Sequence, residues 1–196
     1  MISAIVLAAG TSSRLGRPKQ LLALGGRTVL QHVVDAALAG EMDEVVVVLG
    51  AAADEIEAVV GPNPRVRFSR NPDFAAGQST SLRAGLRAAG TARAVLVLLG
   101  DQPGVRPDAI RAVAGAWREG AGRVIQAAYG GRPAHPTLFD RSVWPELETL
   151  SGDEGARSLL DRHPEWRTSV EVGGDPPEDI DTADDYERVR AAFETH

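Results

Sequence analysis

The sequence predicts an α/β fold of three layers, α/β/α, built on a mostly parallel sheet. Runs of continuously apolar residues, the pattern of strands covered on both faces, alternate with segments whose apolar residues recur at spacings of three and four. With 196 residues and 43% hydrophobic content the chain can fill one good core, so one domain is expected over residues 1–196.

The first strand is expected from Ser3 to Ala9 (SAIVLAA), ending in small residues and Gly10. Gly25 and Gly26 turn the chain into a helix from Val29 to Ala39. Strand Glu44 to Gly50 (EVVVVLG), helix Ala53 to Val60, strand Arg65 to Arg70 (RVRFSR) and helix Ser81 to Ala89 follow. Strand Ala94 to Gly100 (AVLVLLG), helix Pro107 to Trp117 and strand Arg123 to Tyr129 (RVIQAAY) continue the alternation. The rhythm then breaks, because residues 130–160 carry three prolines and four glycines. This stretch reads as a loop-rich insertion shaping a substrate site, packed through Leu138, Phe139, Trp144, Leu147 and Leu150. A last strand, Thr168 to Val172, precedes a closing helix that Thr182 caps, with Asp185 three positions on as in a capping box with a shorter acid. In such sheets ligands bind beyond the carboxyl ends of the strands.

A net charge of −6 gives no basic surface for nucleic acid or anionic lipid, so neither is an expected partner. The absence of cysteine excludes disulfides, thiolate metal sites and cysteine nucleophiles. No apolar run approaches the ~20 residues of a membrane span, and no cleavable leader precedes the first strand, so a soluble cytoplasmic protein is expected.

Lys19 is the single lysine among 21 basic residues. A chain that otherwise uses arginine keeps an ammonium here, which points to a site needing a compact, flexible charge. It lies in LAAGTSSRLGRPKQLL, Leu7 to Leu22. The spacing does not match a Walker loop, since five residues separate Gly10 from Gly16 and Pro18 stands before Lys19. Ser12 and Ser13 exclude the dinucleotide fingerprint. What remains is a strand end of small residues, Ala8, Ala9 and Gly10, that a base or sugar can approach. The loop after it can wrap a triphosphate, with Arg14 bidentate and Lys19 as a point charge.

Asp101 ends the most apolar strand and so stands at the carboxyl edge of the sheet, a natural Mg²⁺ ligand. Gly77 lets the backbone of NPDFAAGQSTSL come close to a planar base, while Ser79 or Ser81 can cap the next helix and bond the base or ribose.

The opening loop resembles the signature of the MobA-like nucleotidyltransferases. So, in order, do NPDFAAGQSTSLRAGL from Asn71, GDQPGV from Gly100, GRPAHPTLF from Gly131, GDEGAR from Gly152 and DIDTADDY from Asp179. Together they resemble the branch that contains the molybdenum cofactor cytidylyltransferases. The resemblance implies a Rossmann-like fold of the nucleotide-diphospho-sugar transferase type, with residues 1–105 as the nucleotide half and 106–196 as the acceptor half. It implies catalytic roles for Arg14, Lys19 and Asp101, and a metal site of Asp101 and Asp181, with Asp179 as the alternative second ligand. Mg²⁺ is the implied ion and Mn²⁺ its substitute. Leu7, Ala8, Ala9, Gly10, Asn71, Gly77, Gln78, Ser79 and Ser81 would join Arg14 and Lys19 around the nucleotide. Arg132, His135, Asp153 and Arg157 would meet the acceptor. The guanylyl-transferring branch reads Leu-Ala-Gly-Gly where this chain has Ala9, which favours a pyrimidine. The implied reaction is transfer of CMP from CTP to the phosphate of Mo-molybdopterin, giving molybdopterin cytosine dinucleotide and pyrophosphate. A molybdoenzyme or its chaperone is the implied further partner. A guanylyltransferase, a sugar-1-phosphate nucleotidyltransferase and a non-catalytic cofactor carrier remain open on the sequence.

Overall fold

The computed structural model describes residues 1–10 and 15–194. Strand β1 (Ile2–Ala8) is followed by a 3₁₀ turn at Lys19–Leu21, then by a small hairpin of β2 (Ala23–Leu24) and β3 (Arg27–Thr28). Helix α1 (Val29–Ala39) leads to β4 (Glu44–Leu49), α2 (Ala53–Val60), β5 (Val66–Arg70), α3 (Gln78–Ala89) and β6 (Ala94–Leu99). Next come α4 (Pro107–Arg118), β7 (Val124–Tyr129) and β8 (Arg132–Asp140). Short helices α5 (Trp144–Glu148) and α6 (Ala156–Arg162), strand β9 (Arg167–Glu171) and helix α7 (Ala183–Glu194) complete the order.

Seven strands form one sheet in the order β5-β4-β1-β6-β8-β7-β9, in which β8 alone among them runs antiparallel to its neighbours. The strand order reverses at β1, which pairs in parallel with β4 on one side and β6 on the other. That reversal opens a crevice at the carboxyl ends of β1 and β6. Alternation along the strands divides the core between two faces. Ala4, Val6, Ile125 and Ala127 pack with Leu30, Val33, Ile110 and Val113 of α1 and α4. Ile5, Val95, Val97 and Phe139 pack with Leu82 and Leu86 of α3, Leu147 of α5 and Leu159 of α6. Helix α7 covers the 3₁₀–hairpin region through Val189 and the nearby Ile180, which pack with Leu22, Leu24 and Val29. Among the described residues no helix is long and apolar enough to cross a membrane.

Local chemistry sets the boundaries. Thr28 and Gln31 form a reciprocal capping box at the start of α1. At α7 the Asp185 amide donates to Thr182 Oγ1 (3.2 Å) and the Thr182 amide to Asp185 Oδ2 (2.8 Å), the shorter-acid box that the sequence suggests. Helix α3 begins at Gln78, three residues before the expected Ser81, with Gly77 at its N-cap.

The expected loop-rich insertion is the main correction. Residues 132–140 form a nine-residue strand in the interior of the sheet, and 144–148 and 156–162 are helical. Pro133 and Pro136 argue against an interior strand, because proline cannot donate to a ladder. The sheet accommodates them with a bulge: pairing jumps from Gln126–Thr137 to Ala127–Ala134, so His135 and Pro136 have no partner on β7. Pairing with β6 ends at Val97–Thr137, so the segment before Thr137 is free to diverge from β6. Gly130 and Gly131, both at positive φ (56° and 75°), close the tight β7–β8 hairpin.

Candidate active site

At the end of β6 the Gly100 amide donates to the Leu7 carbonyl of β1 (2.9 Å). A Cβ on Gly100 would lie 2.9 Å from that oxygen and 3.1 Å from Ala8 Cβ, so a side chain would push the two strand ends apart. Asp101 follows at once, and its carbonyl accepts from the Ile180 amide (3.1 Å), which docks the DIDT segment beside it. Lys19 arrives from the 3₁₀ turn after Pro18. Its ammonium contacts Asp101 Oδ2 and donates to Asp181 Oδ1 (2.8 Å), joining three segments distant in the chain. The side chains of Lys19 and Asp101 are 14% and 16% exposed, that of Asp181 50%. Burial works against the ammonium, but the charge and hydrogen bond of Asp101, then those of Asp181, outweigh it and hold Lys19 above its ordinary pKa.

Two cavities meet here. The first, about 360 Å³, is lined by Leu7, Ala9, Gly10, Gln20, Gln78 and Ser81, with Lys19, Asp101 and Asp153. The second, about 370 Å³, lies over the α3 and α6 face of the sheet, between Leu82, Val97, Phe139 and Leu160, with Gln102, Gln126, His135, Arg157 and Asp179. Leu7, Gln78 and Leu99 line both, so the two are halves of one cleft. Asp101 faces the first half and its neighbour Gln102 the second, which puts this pair at the junction. Gln102 Nε2 donates to Asp179 Oδ1 (2.9 Å). Burial, then the charges of Asp101 and Asp181, push the Asp179 carboxyl above the usual range. Burial lowers the pKa of His135, opposed in part by its contact with the Val97 carbonyl (3.3 Å), and keeps the imidazole neutral.

Of the expected nucleotide residues, Leu7, Ala9, Gly10, Lys19, Gly77, Gln78 and Ser81 line the first cavity. Arg14 lies outside the described residues. Three others stand behind the surface instead of on it. Ala8 faces the α1 and α4 side of the core. Asn71 is buried, its amide donating to Thr80 Oγ1 (2.8 Å) and Ser81 Oγ (3.0 Å) and its oxygen accepting from the Asp73 amide (3.0 Å). Ser79 is fully buried. Neither serine caps α3; Thr80 Oγ1 donates to the Gly77 carbonyl (2.8 Å) in that turn.

Gly77 has a packing role besides its place on the first cavity. Its φ is 110°, and a Cβ there would lie 2.2 Å from the Gly152 carbonyl, so the glycine serves contact with the 152–153 backbone, where the Ser79 amide donates to Gly152 (3.1 Å). That contact brings Asp153 to the first cavity, apart from His135 and Arg157, which line the second. Gly77→Ala combines an unfavourable backbone region with a backbone clash, and is expected to destabilise the fold by about 2–4 kcal/mol. A urea titration against the parent measures it; a midpoint within error of the parent would refute the packing role.

Of the expected acceptor residues, His135 and Arg157 line the second cavity, whereas Arg132 is exposed beside the hairpin turn and lines neither. Sequence reasoning missed Gln20, Gln102, Gln126 and Thr137. Gln126 had a signal, as an amide in an otherwise apolar strand. Both sides of residue 105 contribute to the cleft: Asp153 lines the first cavity, and Leu7, Gln78 and Leu82 line the second.

The carboxylates of Asp101 and Asp181 converge on one ammonium, so both can reach one cation. Among the described residues no group of three or more His, Cys, Asp or Glu converges as a ready-made metal cage. Two carboxylates completed by phosphate oxygens and water suit a hard divalent ion such as Mg²⁺.

Comparison with known proteins gives the family. The nicotine blue oxidoreductase of Paenarthrobacter nicotinovorans is 36% identical over 96% of each chain. The molybdenum cofactor cytidylyltransferase of Escherichia coli K12 is 28% identical over 94% of this chain and 93% of its own. Rv0371c of Mycobacterium tuberculosis superposes with a TM-score of 0.86 at 33% identity, covering 97% of each chain. A second structure of that protein, at TM-score 0.82 and 32% identity over 97% of this chain and 98% of its own, is a complex with manganese. Residues 4–166 match the MobA-like NTP transferase domain, and the chain is a nucleotidyltransferase of that family.

Proposed function

We propose that this chain transfers CMP from CTP to the terminal phosphate of Mo-molybdopterin, with Mg²⁺ as the ion and Mn²⁺ as its substitute. The observation that carries the reading is the Lys19–Asp101–Asp181 cluster, whose Lys19 and Asp101 line the first of two adjoining cavities of similar size, one for each reactant in this reading. The cytidylyltransferase relative, similar along nearly the whole chain, supports the acceptor, and Ala9 on the first cavity supports the smaller base.

Nucleotidyl transfer needs alignment and charge neutralisation more than covalent help. An oxygen of the acceptor phosphate, held in the second cavity, attacks the α-phosphorus; the bond to the β-phosphate oxygen breaks and pyrophosphate leaves. Asp101 and Asp181 would hold Mg²⁺, which when bound neutralises phosphate charge and makes the α-phosphorus more electrophilic. Lys19 bridges the two carboxylates when no nucleotide is present and offsets one of their two charges. When the triphosphate arrives its flexible stem lets the ammonium turn to the β- and γ-oxygens, releasing the carboxylates and stabilising the leaving group. Arg14 would add a bidentate contact to the same phosphates. His135, kept neutral, and Arg157 would position the acceptor.

Pyrophosphate release measured with CTP, GTP and UTP, each with Mo-molybdopterin and with glucose 1-phosphate, tests the assignment. Release is expected with CTP and Mo-molybdopterin at least about tenfold above the other pairs. Faster turnover with GTP, or with the sugar phosphate, would replace the reading by the corresponding transferase.

A further inference from the structure

We infer that the outer edge of β9 docks a second copy of this chain, the two β9 strands pairing antiparallel about a two-fold axis at Ser169 and joining the two sheets into one.

Strand β9 ends the sheet beyond β7, and no described strand pairs with its far edge. The direction of its backbone groups follows from one bond. The Val172 amide donates to the Ala128 carbonyl of β7 (3.0 Å), and alternate residues of a strand turn their backbone groups to the same neighbour, so Thr168 and Val170 also face β7. The amides and carbonyls of Arg167, Ser169 and Glu171 therefore point outward, and all three residues are exposed. An open row of this kind is a template for a further strand.

The side chains decide which strand fits. Among the described residues Arg167 has no acidic partner and Glu171 no basic one. The Glu171 carboxylate is fixed by the Gly130 and Gly131 amides (2.6 and 3.1 Å), which leave its charge uncompensated and lone pairs free. The two charges stand two positions to either side of Ser169, on one face of the strand. In antiparallel pairing centred on Ser169, Arg167 of each copy lies opposite Glu171 of the other, and the two serines face each other. The same register gives every outward amide and carbonyl of these residues a partner. Sliding it by two residues breaks both charge pairs, and parallel in-register pairing sets like charges together. The complement of this edge is the edge itself, an isologous contact. On β5, the opposite edge of the sheet, Arg67 pairs with Glu44 and Arg70 with Asp54 and Glu57, so those charges are compensated within the chain.

Sedimentation equilibrium of the purified full chain tests the proposal. A contact built on one short strand is small, so a reversible dimer with a dissociation constant of about 10–100 µM is expected. Arg167→Glu sets carboxylates opposite each other at both ends of the strand pair and should weaken the dimer at least about tenfold, as should Glu171→Arg. Combining the two restores opposite charges and should recover the parent constant to within about threefold. Ser169→Pro removes an outward donor at the axis, leaves the bonds to β7 in place, and should give a monomer. Circular dichroism controls for folding, and Arg167→Glu with Ser169→Pro decides the matter even if Glu171→Arg does not fold. A parent that stays monomeric up to about 300 µM, well above the expected constant, would overturn the proposal. So would a dimer unchanged by Arg167→Glu and Ser169→Pro, or a folded double-charge variant that stays monomeric.

Discussion

Asp101→Asn is expected to lower the rate of nucleotidyl transfer by about 10²–10³-fold and to leave the fold intact. The substitution keeps the volume of the side chain and removes the charge that opposes Lys19 and would hold the divalent ion. Loss of one well-placed electrostatic group at a transferring centre typically costs ~3–4 kcal/mol of transition-state stabilisation. Asp101 is anchored by its backbone as well, through the Ile180 amide, so the DIDT segment should stay docked in the variant. Lys19 keeps Asp181 as a partner. Stopped assays of pyrophosphate release, with circular dichroism as the control for folding, separate lost chemistry from lost structure. Turnover within threefold of the parent would remove Asp101 from the chemistry.

Lys19→Arg is the second large effect, and its sign runs against the usual view of a conservative change. A guanidinium is planar, longer and able to bind a carboxylate through two parallel hydrogen bonds. Between Asp101 and Asp181 it would hold both carboxylates more firmly than an ammonium does, and it would turn less readily toward phosphate. We expect kcat to fall about 100-fold, with a rise in the Mg²⁺ concentration needed for half-maximal rate, because the arginine competes with the ion for the same oxygens. A full kinetic matrix over CTP and Mg²⁺ reads both effects. Parent-like kcat with an unchanged Mg²⁺ requirement would mean that the solitary lysine is incidental.

Most of the architecture was legible in the sequence because helices on both faces leave their mark on a parallel strand. EVVVVL and AVLVLL are apolar at every position along their β4 and β6 ranges, except for the leading Glu44. Strand β8 was not legible, since its two prolines are tolerated only through a bulge, and a bulge depends on the partner strand and not on local propensity. The same limit applied to the site. Asp101 and Lys19 stood out, one by its place after an apolar run, the other as the single lysine. Their contact, across 82 positions by residue number, is a product of the fold. Asn71 and Ser79 look like ligand residues in sequence, yet are buried behind the site, and Gly77 lines the first cavity while packing on the Gly152 backbone, because the hydrogen-bonding and backbone freedom that suit a ligand equally suit a buried turn. Gln102 and Gln126 were passed over, although Gln126 is an amide in an otherwise apolar strand, because the burial that leaves each oxygen without a partner among the described residues comes from the fold.

Incubation with [α-³²P]CTP, Mg²⁺ and Mo-molybdopterin tests the central claim most directly. Transfer at the α-phosphorus predicts that the label enters a cytosine dinucleotide product in a one-to-one ratio with pyrophosphate released, and that Asp101→Asn abolishes both. Label remaining in CTP at the level of a protein-free control, with Mo-molybdopterin unchanged, would contradict it.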